Sequence, residues 1–131
     1  MCEDIQIEQV GDGLYTLTAV IVPAYDGINI YVGGGERPHI GTVVISEPRE
    51  SLKNAKTISC TTSVYNFLGH KDDFIAVPIA EAICINTGKT VVVSAGIHID
   101  NATQDDIDTF MQNKDKLIKE ILLNLNRRKD S

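Results

Sequence analysis

The chain has 131 residues, 43% of them apolar and 23% charged, and a net charge of −6, which fits one domain burying roughly two thirds of its unfolded surface. The acidic balance weighs against a nucleic-acid partner, which would need clustered Lys and Arg; the basic run Arg127-Arg128-Lys129 reads as part of a disordered tail, residues 127–131. No run approaches the roughly 18 apolar residues of a membrane span, and the acidic start Met1-Cys2-Glu3-Asp4 is unlike a signal peptide, so a cytoplasmic protein is expected.

Ile5 and Ile7 alternate with polar neighbours up to the tight turn Gly11-Asp12-Gly13, predicting a first strand. Leu14 to Val22 is a second, with Pro23 ending its ladder. After the Asp26-Gly27 turn, Ile28, Ile30 and Val32 mark a third strand, which the triple glycine Gly33-Gly34-Gly35 is expected to break. A fourth runs from Ile40 to Ser46 and stops at Glu47-Pro48. Thr57 to Val64, dense in β-branched residues, is the fifth. From Phe74 to Ile85 a broad apolar stripe predicts a buried helix, capped by Asn86-Thr87-Gly88, with Pro78 in its first turn or kinking it. Val91 to Ile99 is a sixth strand. Thr103 and Asp106 form a near capping box, opening a last helix whose apolar residues recur every three and four positions from Ile107 to Leu125.

The order β-β-β-β-β-α-β-α predicts an α+β two-layer sandwich: one domain with a six-stranded, mostly antiparallel sheet and both helices on one face. Short turns imply a meander for the first four strands. Strands at 14–22 and 40–45 are apolar at both parities, which predicts a homodimer burying a sheet or helix face. Cys2, Cys60 and Cys84 lack CxxC spacing, so a structural zinc site or disulfide framework is not expected; Cys60 and Cys84 read as small buried hydrophobes.

The three histidines, His39, His70 and His98, all fall at junctions between elements, where folds present side chains to ligands. With strand five antiparallel beside strand four, and strand six parallel beside strand five, three loops meet at one rim. That rim gathers Gly34, Gly35, Arg37, His39, Gly41, Tyr65, His70, Lys71, His98, Asp100 and Asn101 as candidate cofactor-binding residues. The glycines permit close backbone approach, Arg37 and Lys71 offer charge to a phosphate or carboxylate, and two helix N-termini point there. No dinucleotide or Walker fingerprint is present. The three histidines with Asp72 or Asp100 lack a recognised metal spacing, and Ser63, Ser94 and Cys60 lack a nucleophile-elbow motif, so no metal site and no catalytic residue is assigned.

The segments Glu36-Arg37-Pro38-His39-Ile40-Gly41, Leu68-Gly69-His70-Lys71-Asp72-Asp73 and Ala95-Gly96-Ile97-His98-Ile99-Asp100-Asn101 resemble a known family. They are similar to the small, prenylated-flavin chaperone-like accessory proteins of bacterial hydroxyarylic-acid (gallate-type) decarboxylases. The resemblance runs from about residue 28 to 125. It implies a non-catalytic protein that binds or transfers prenylated FMN, or FMN, with a flavin prenyltransferase and a decarboxylase subunit as partners. It also implies a fold similar to small proteasome-assembly chaperones, which pair as dimers. The site residues rest on the rim and not on the resemblance. Tyr25, Tyr31, Tyr65 and Phe67 are aromatics available to cover a ring system. Two other readings stay open: a small hydrolase or lyase using His39, His70 or His98 on a phosphorylated or carboxylated substrate, and a structural subunit of a decarboxylase complex.

Overall fold

A computed structural model describes residues 4–54, 56–69 and 72–129, the side chains of 127–129 excepted. Six strands, β1 (Gln6–Val10), β2 (Leu17–Pro23), β3 (Gly27–Gly35), β4 (Thr42–Glu50), β5 (Ile58–Asn66) and β6 (Thr90–His98), form one mixed sheet. Helix α1 (Asp73–Thr87) connects β5 to β6, and α2 (Gln104–Lys129) follows β6. The strand order is β1-β2-β3-β6-β4-β5, antiparallel throughout except for the parallel pair β3–β6. This is the expected α+β class.

Both helices cover one face. Leu17, Ile21, Ile30, Val32, Val44, Val91 and Val93 point from the strands into a core completed by Ile75, Ile79 and Ile83 of α1 and Phe110, Leu117 and Ile121 of α2. Each such side chain contributes about 1.5–3 kcal/mol through its removal from water. The capping box forms: Thr103 N–H donates to Asp106 Oδ2 (2.8 Å) and Asp106 N–H to Thr103 Oγ1 (3.2 Å). Gly88, left-handed at φ 68°, caps α1 through its N–H to Cys84 O. Pro78 sits inside α1, where it cannot donate to the Phe74 carbonyl four residues back. Cys84 is fully buried, and burial pushes its thiol up to about 11, so it is an inert hydrophobe. Cys60 is half-buried and donates to Glu81.

Several expectations are corrected. Strands five and six are not neighbours, and the first four strands are not a meander: β6 inserts between β3 and β4. The triple glycine does not break β3: Gly33 and Gly34 pair with β2 on one side and β6 on the other, and Gly35, at the strand's end, pairs with His98 of β6. Pro48 does not stop β4. β6 leaves that ladder at Ser46, so the missing proline donor falls where β4 pairs with β5 alone. Leu14 belongs to a 3-10 turn, Gly13–Tyr15, and not to β2. Tertiary contacts hold that turn: Tyr15 OH donates to Asp106 (2.5 Å) and Asn113 Nδ2 to Tyr15 O (2.8 Å). The backbone of α2 continues through Lys129, into the run expected to be a tail.

Candidate functional site

β6 runs parallel to β3 and antiparallel to β4, and β5 runs antiparallel to β4. The ends of β3, β5 and β6 and the start of β4 therefore share one rim, although β5 and β6 are two strands apart. Loop 36–41 must cross the end of β6 to join β3 to β4. It is fastened on both sides: Glu36 N–H donates to His98 O (2.7 Å) and Gly41 N–H to Ala95 O (2.8 Å).

Glycines set the loop's height above the sheet. A Cβ on Gly96 would overlap the His39 carbonyl, and one on Gly33 would press on Pro38 and the Tyr31 hydroxyl. The loop thus folds over the face that carries no helices, where Tyr31 OH donates to His39 O (3.1 Å). Gly35, at φ 76°, lies against the His98 carbonyl and leaves no room for a side chain. At Gly41 the space is filled by Asp72 and the His39 ring.

His39 Nδ1 lies 2.9 Å from Arg37 O, and its Nε2 lies 3.2 Å from Asp72 Oδ2. The His98 ring stands edge-on to His39, with centroids 6.3 Å apart. Its Nε2 is 2.7 Å from both Asp100 Oδ1 and Arg37 Nη2, and Arg37 Nη2 is 3.2 Å from the same carboxylate oxygen. Arg37 can only donate and Asp100 only accept, so either state of Nε2 satisfies one of them. The hydrogen bond from His98, with the Arg37 charge nearby, holds the Asp100 carboxyl below the usual carboxylate range. Arg37, His39, Ile40 and His98 line a cleft of about 390 Å³, a volume in the range of small-molecule sites.

Of the residues expected at the rim, Arg37, His39, His98 and Asp100 come together. Gly34, Gly35 and Gly41 are close by but serve strand pairing and loop packing; the Gly41 amide is taken by Ala95. Asn101 occupies the turn after β6 at φ 55°, a conformation asparagine tolerates. Tyr65 lies near the end of β5, edge-on to Phe67 at 5.2 Å, and Phe67 N–H donates to Gly41 O (2.9 Å). Tyr25 is exposed in the β2–β3 turn, at the opposite end of the sheet. His70 and Lys71 lie outside the described residues. Sequence reasoning missed Ile40 as a lining residue and the pairing of Asp72 with His39. Asp72 looks like a helix N-cap, yet its side chain makes no capping bond to α1 and turns to the histidine. Among the described residues, no group of three or more His, Cys, Asp or Glu side chains is placed to hold a metal ion.

The family described as prenylated flavin chaperone LpdD-like domain matches residues 11–126. The chain belongs to that family. It is 31% identical over 117 residues to Protein LpdD of Lactiplantibacillus plantarum, covering 88% of this chain and 79% of that protein. In fold it is similar to a chain of a chaperone complex for yeast 20S proteasome assembly, with a TM-score of 0.58, 16% identity and 95% of each chain covered. At that identity the likeness concerns the fold alone. Among the described residues no helix is long and apolar enough to cross a membrane.

Proposed function

We propose that this chaperone-family chain is a non-catalytic cytoplasmic carrier that binds prenylated FMN, or FMN, at the rim cleft. It passes the cofactor between a flavin prenyltransferase and a hydroxyarylic-acid decarboxylase, working as a homodimer. One observation carries the reading: in a chain of the prenylated flavin chaperone family, Arg37, His39 and His98 converge on one cleft with apolar Ile40. The donor set fits the cofactor. A guanidinium and two imidazoles suit a phosphate, and Ile40 with the exposed Tyr65–Phe67 pair suits the edge of a ring system. The backbone amide of Gly41 is not free to help. The bound flavin supplies the chemistry its client enzyme uses; this chain's residues bind and orient it.

Titration with FMN, followed by flavin fluorescence quenching and calorimetry, tests the reading. Saturable binding is expected, and Arg37→Ala should weaken it about ten- to hundredfold, the worth of one charge-assisted hydrogen bond. A folded protein that binds neither FMN nor prenylated FMN ends the proposal. Turnover of a phosphorylated or carboxylated substrate that vanishes in His98→Ala would replace it with the hydrolase or lyase reading. Co-purification with a decarboxylase without any flavin binding would replace it with the structural-subunit reading.

A further inference from the structure

The two edges of the sheet are built differently. β1 is five residues long, carries Glu8, and is held by α2, whose Asn124 donates to that carboxylate. β5 spans nine residues, Ile58–Asn66, with no charge, no proline and no glycine, in a chain that is 23% charged. Such an edge lacks the devices that discourage strand addition.

The sequence of β5 names its own partner. From Ile58 to Val64 it reads Ile-Ser-Cys-Thr-Thr-Ser-Val, nearly the same in both directions about Thr61. In an antiparallel pair related by a two-fold axis at Thr61, Ile58 faces Val64 of the second copy, Ser59 faces Ser63, and Cys60 faces Thr62. Ile58 (48% exposed) and Val64 (44% exposed) then cover one another. Ser59 and Ser63 match hydroxyls, a favourable cross-strand combination, and Thr61, whose hydroxyl accepts from Arg49 Nε (3.1 Å), meets its own image. β5 itself brings no charge to the pairing; Arg49, bonded to Thr61, and Glu81, bonded to Cys60 and Thr62, lie on opposite faces of the sheet.

The backbone permits the same register. Phe67 N–H donates to Gly41 O across the extended β4–β5 ladder, so the odd-numbered residues of β5 turn their amides toward β4. Ile58, Cys60, Thr62 and Val64 therefore turn theirs outward. A two-fold axis at Thr61 opposes outward groups to outward groups, each pair exchanging two hydrogen bonds, and leaves Thr61 opposite its image as a close, non-hydrogen-bonded pair.

We infer that β5 is a self-pairing seam through which a second copy of this chain extends the sheet. The seam gives the proposed homodimer an interface and leaves the helix-free face and the rim cleft open to a client. It does not depend on flavin binding, and its test involves no flavin.

Light scattering at tens of micromolar concentration should give twice the chain mass of 14.3 kDa. Thr61→Lys sets two ammonium groups against each other and should halve the mass with an unchanged circular dichroism spectrum. Ile45→Asp, on the open face, should leave the dimer intact. Thr61→Cys under mild oxidant should link two copies on a non-reducing gel where the wild type does not, since the close pair lies within disulfide reach. A monomeric wild type overturns the inference. So does a dimer lost with Ile45→Asp but kept with Thr61→Lys. If Thr61→Lys fails to fold, absence of the Thr61→Cys cross-link overturns it.

Discussion

The two faces of the sheet use alternate residues of the same strands, yet they do different work. On the helix side, Ile21, Ile30, Val44 and Val93 are fully or almost fully buried. On the other side, Ile7 is 67% exposed and Ile45 40%, and toward the rim side chains give way to Gly33 and Gly96. Those missing side chains admit loop 36–41, which carries Arg37, His39 and Ile40 to the cleft. Stability is thus concentrated on one face, and recognition on the face that packing leaves free. Period-two side-chain alternation makes that division possible in a single sheet.

The largest expected effect breaks the helix side. Leu117→Ala should cost about 2–5 kcal/mol in urea unfolding, through lost burial and a residual cavity, whereas Ile7→Ala should stay within about 0.5 kcal/mol. Equal losses would mean that the open face is covered in solution. Gly96→Val is expected to act next, on the open face. Its side chain collides with the His39 carbonyl, so the loop must lift, at about 1–3 kcal/mol of overpacking. FMN affinity should fall by more than about tenfold, as when one good polar contact is lost, while the circular dichroism of the sheet persists. Unchanged affinity would detach the loop from binding.

The smallest effect lies at the start of α2. Hydrogen bonds from Thr103, backbone first, and from Tyr15 hold the Asp106 carboxyl below its ordinary value. A carboxyl lowered in the folded state adds stability that is present above its unfolded pKa and lost as pH falls through the folded one. Asp106→Asn should therefore flatten the pH dependence of stability below about pH 4, the ordinary aspartate range, in thermal melts across that interval. An acid limb identical to wild type would show that the capping box contributes nothing to it.

Features set by neighbouring residues were legible in the sequence. The Thr103–Asp106 box, the Gly88 cap and the three-and-four spacing of α2 all appear where local chemistry places them. Pairing partners were not legible. Nothing local to Gly33-Gly34-Gly35 marks it as a strand; it is one because β6 pairs with all three residues and β2 with the first two. Nothing local to Val91–Val93 says that this strand enters between β3 and β4. The rim was found all the same, since convergence requires only that β3, β5 and β6 run in one direction and β4 in the other. The Asp72–His39 pair escaped because an aspartate before a helix satisfies a simpler local rule, and tertiary structure overrode it.

The insertion of β6 also has a kinetic consequence. β3 ends at Gly35, and the strand that completes it begins at Thr90. Closing so long a stretch of chain is entropically slow, and parallel pairing cannot be nucleated by a hairpin. Until β6 is in place, loop 36–41 has neither Ala95 nor His98 to bond, and the cleft lacks the His98 ring. A ligand of the cleft therefore cannot assist early folding; it can act only by mass action on the finished chain, raising its stability as ligand concentration exceeds Kd.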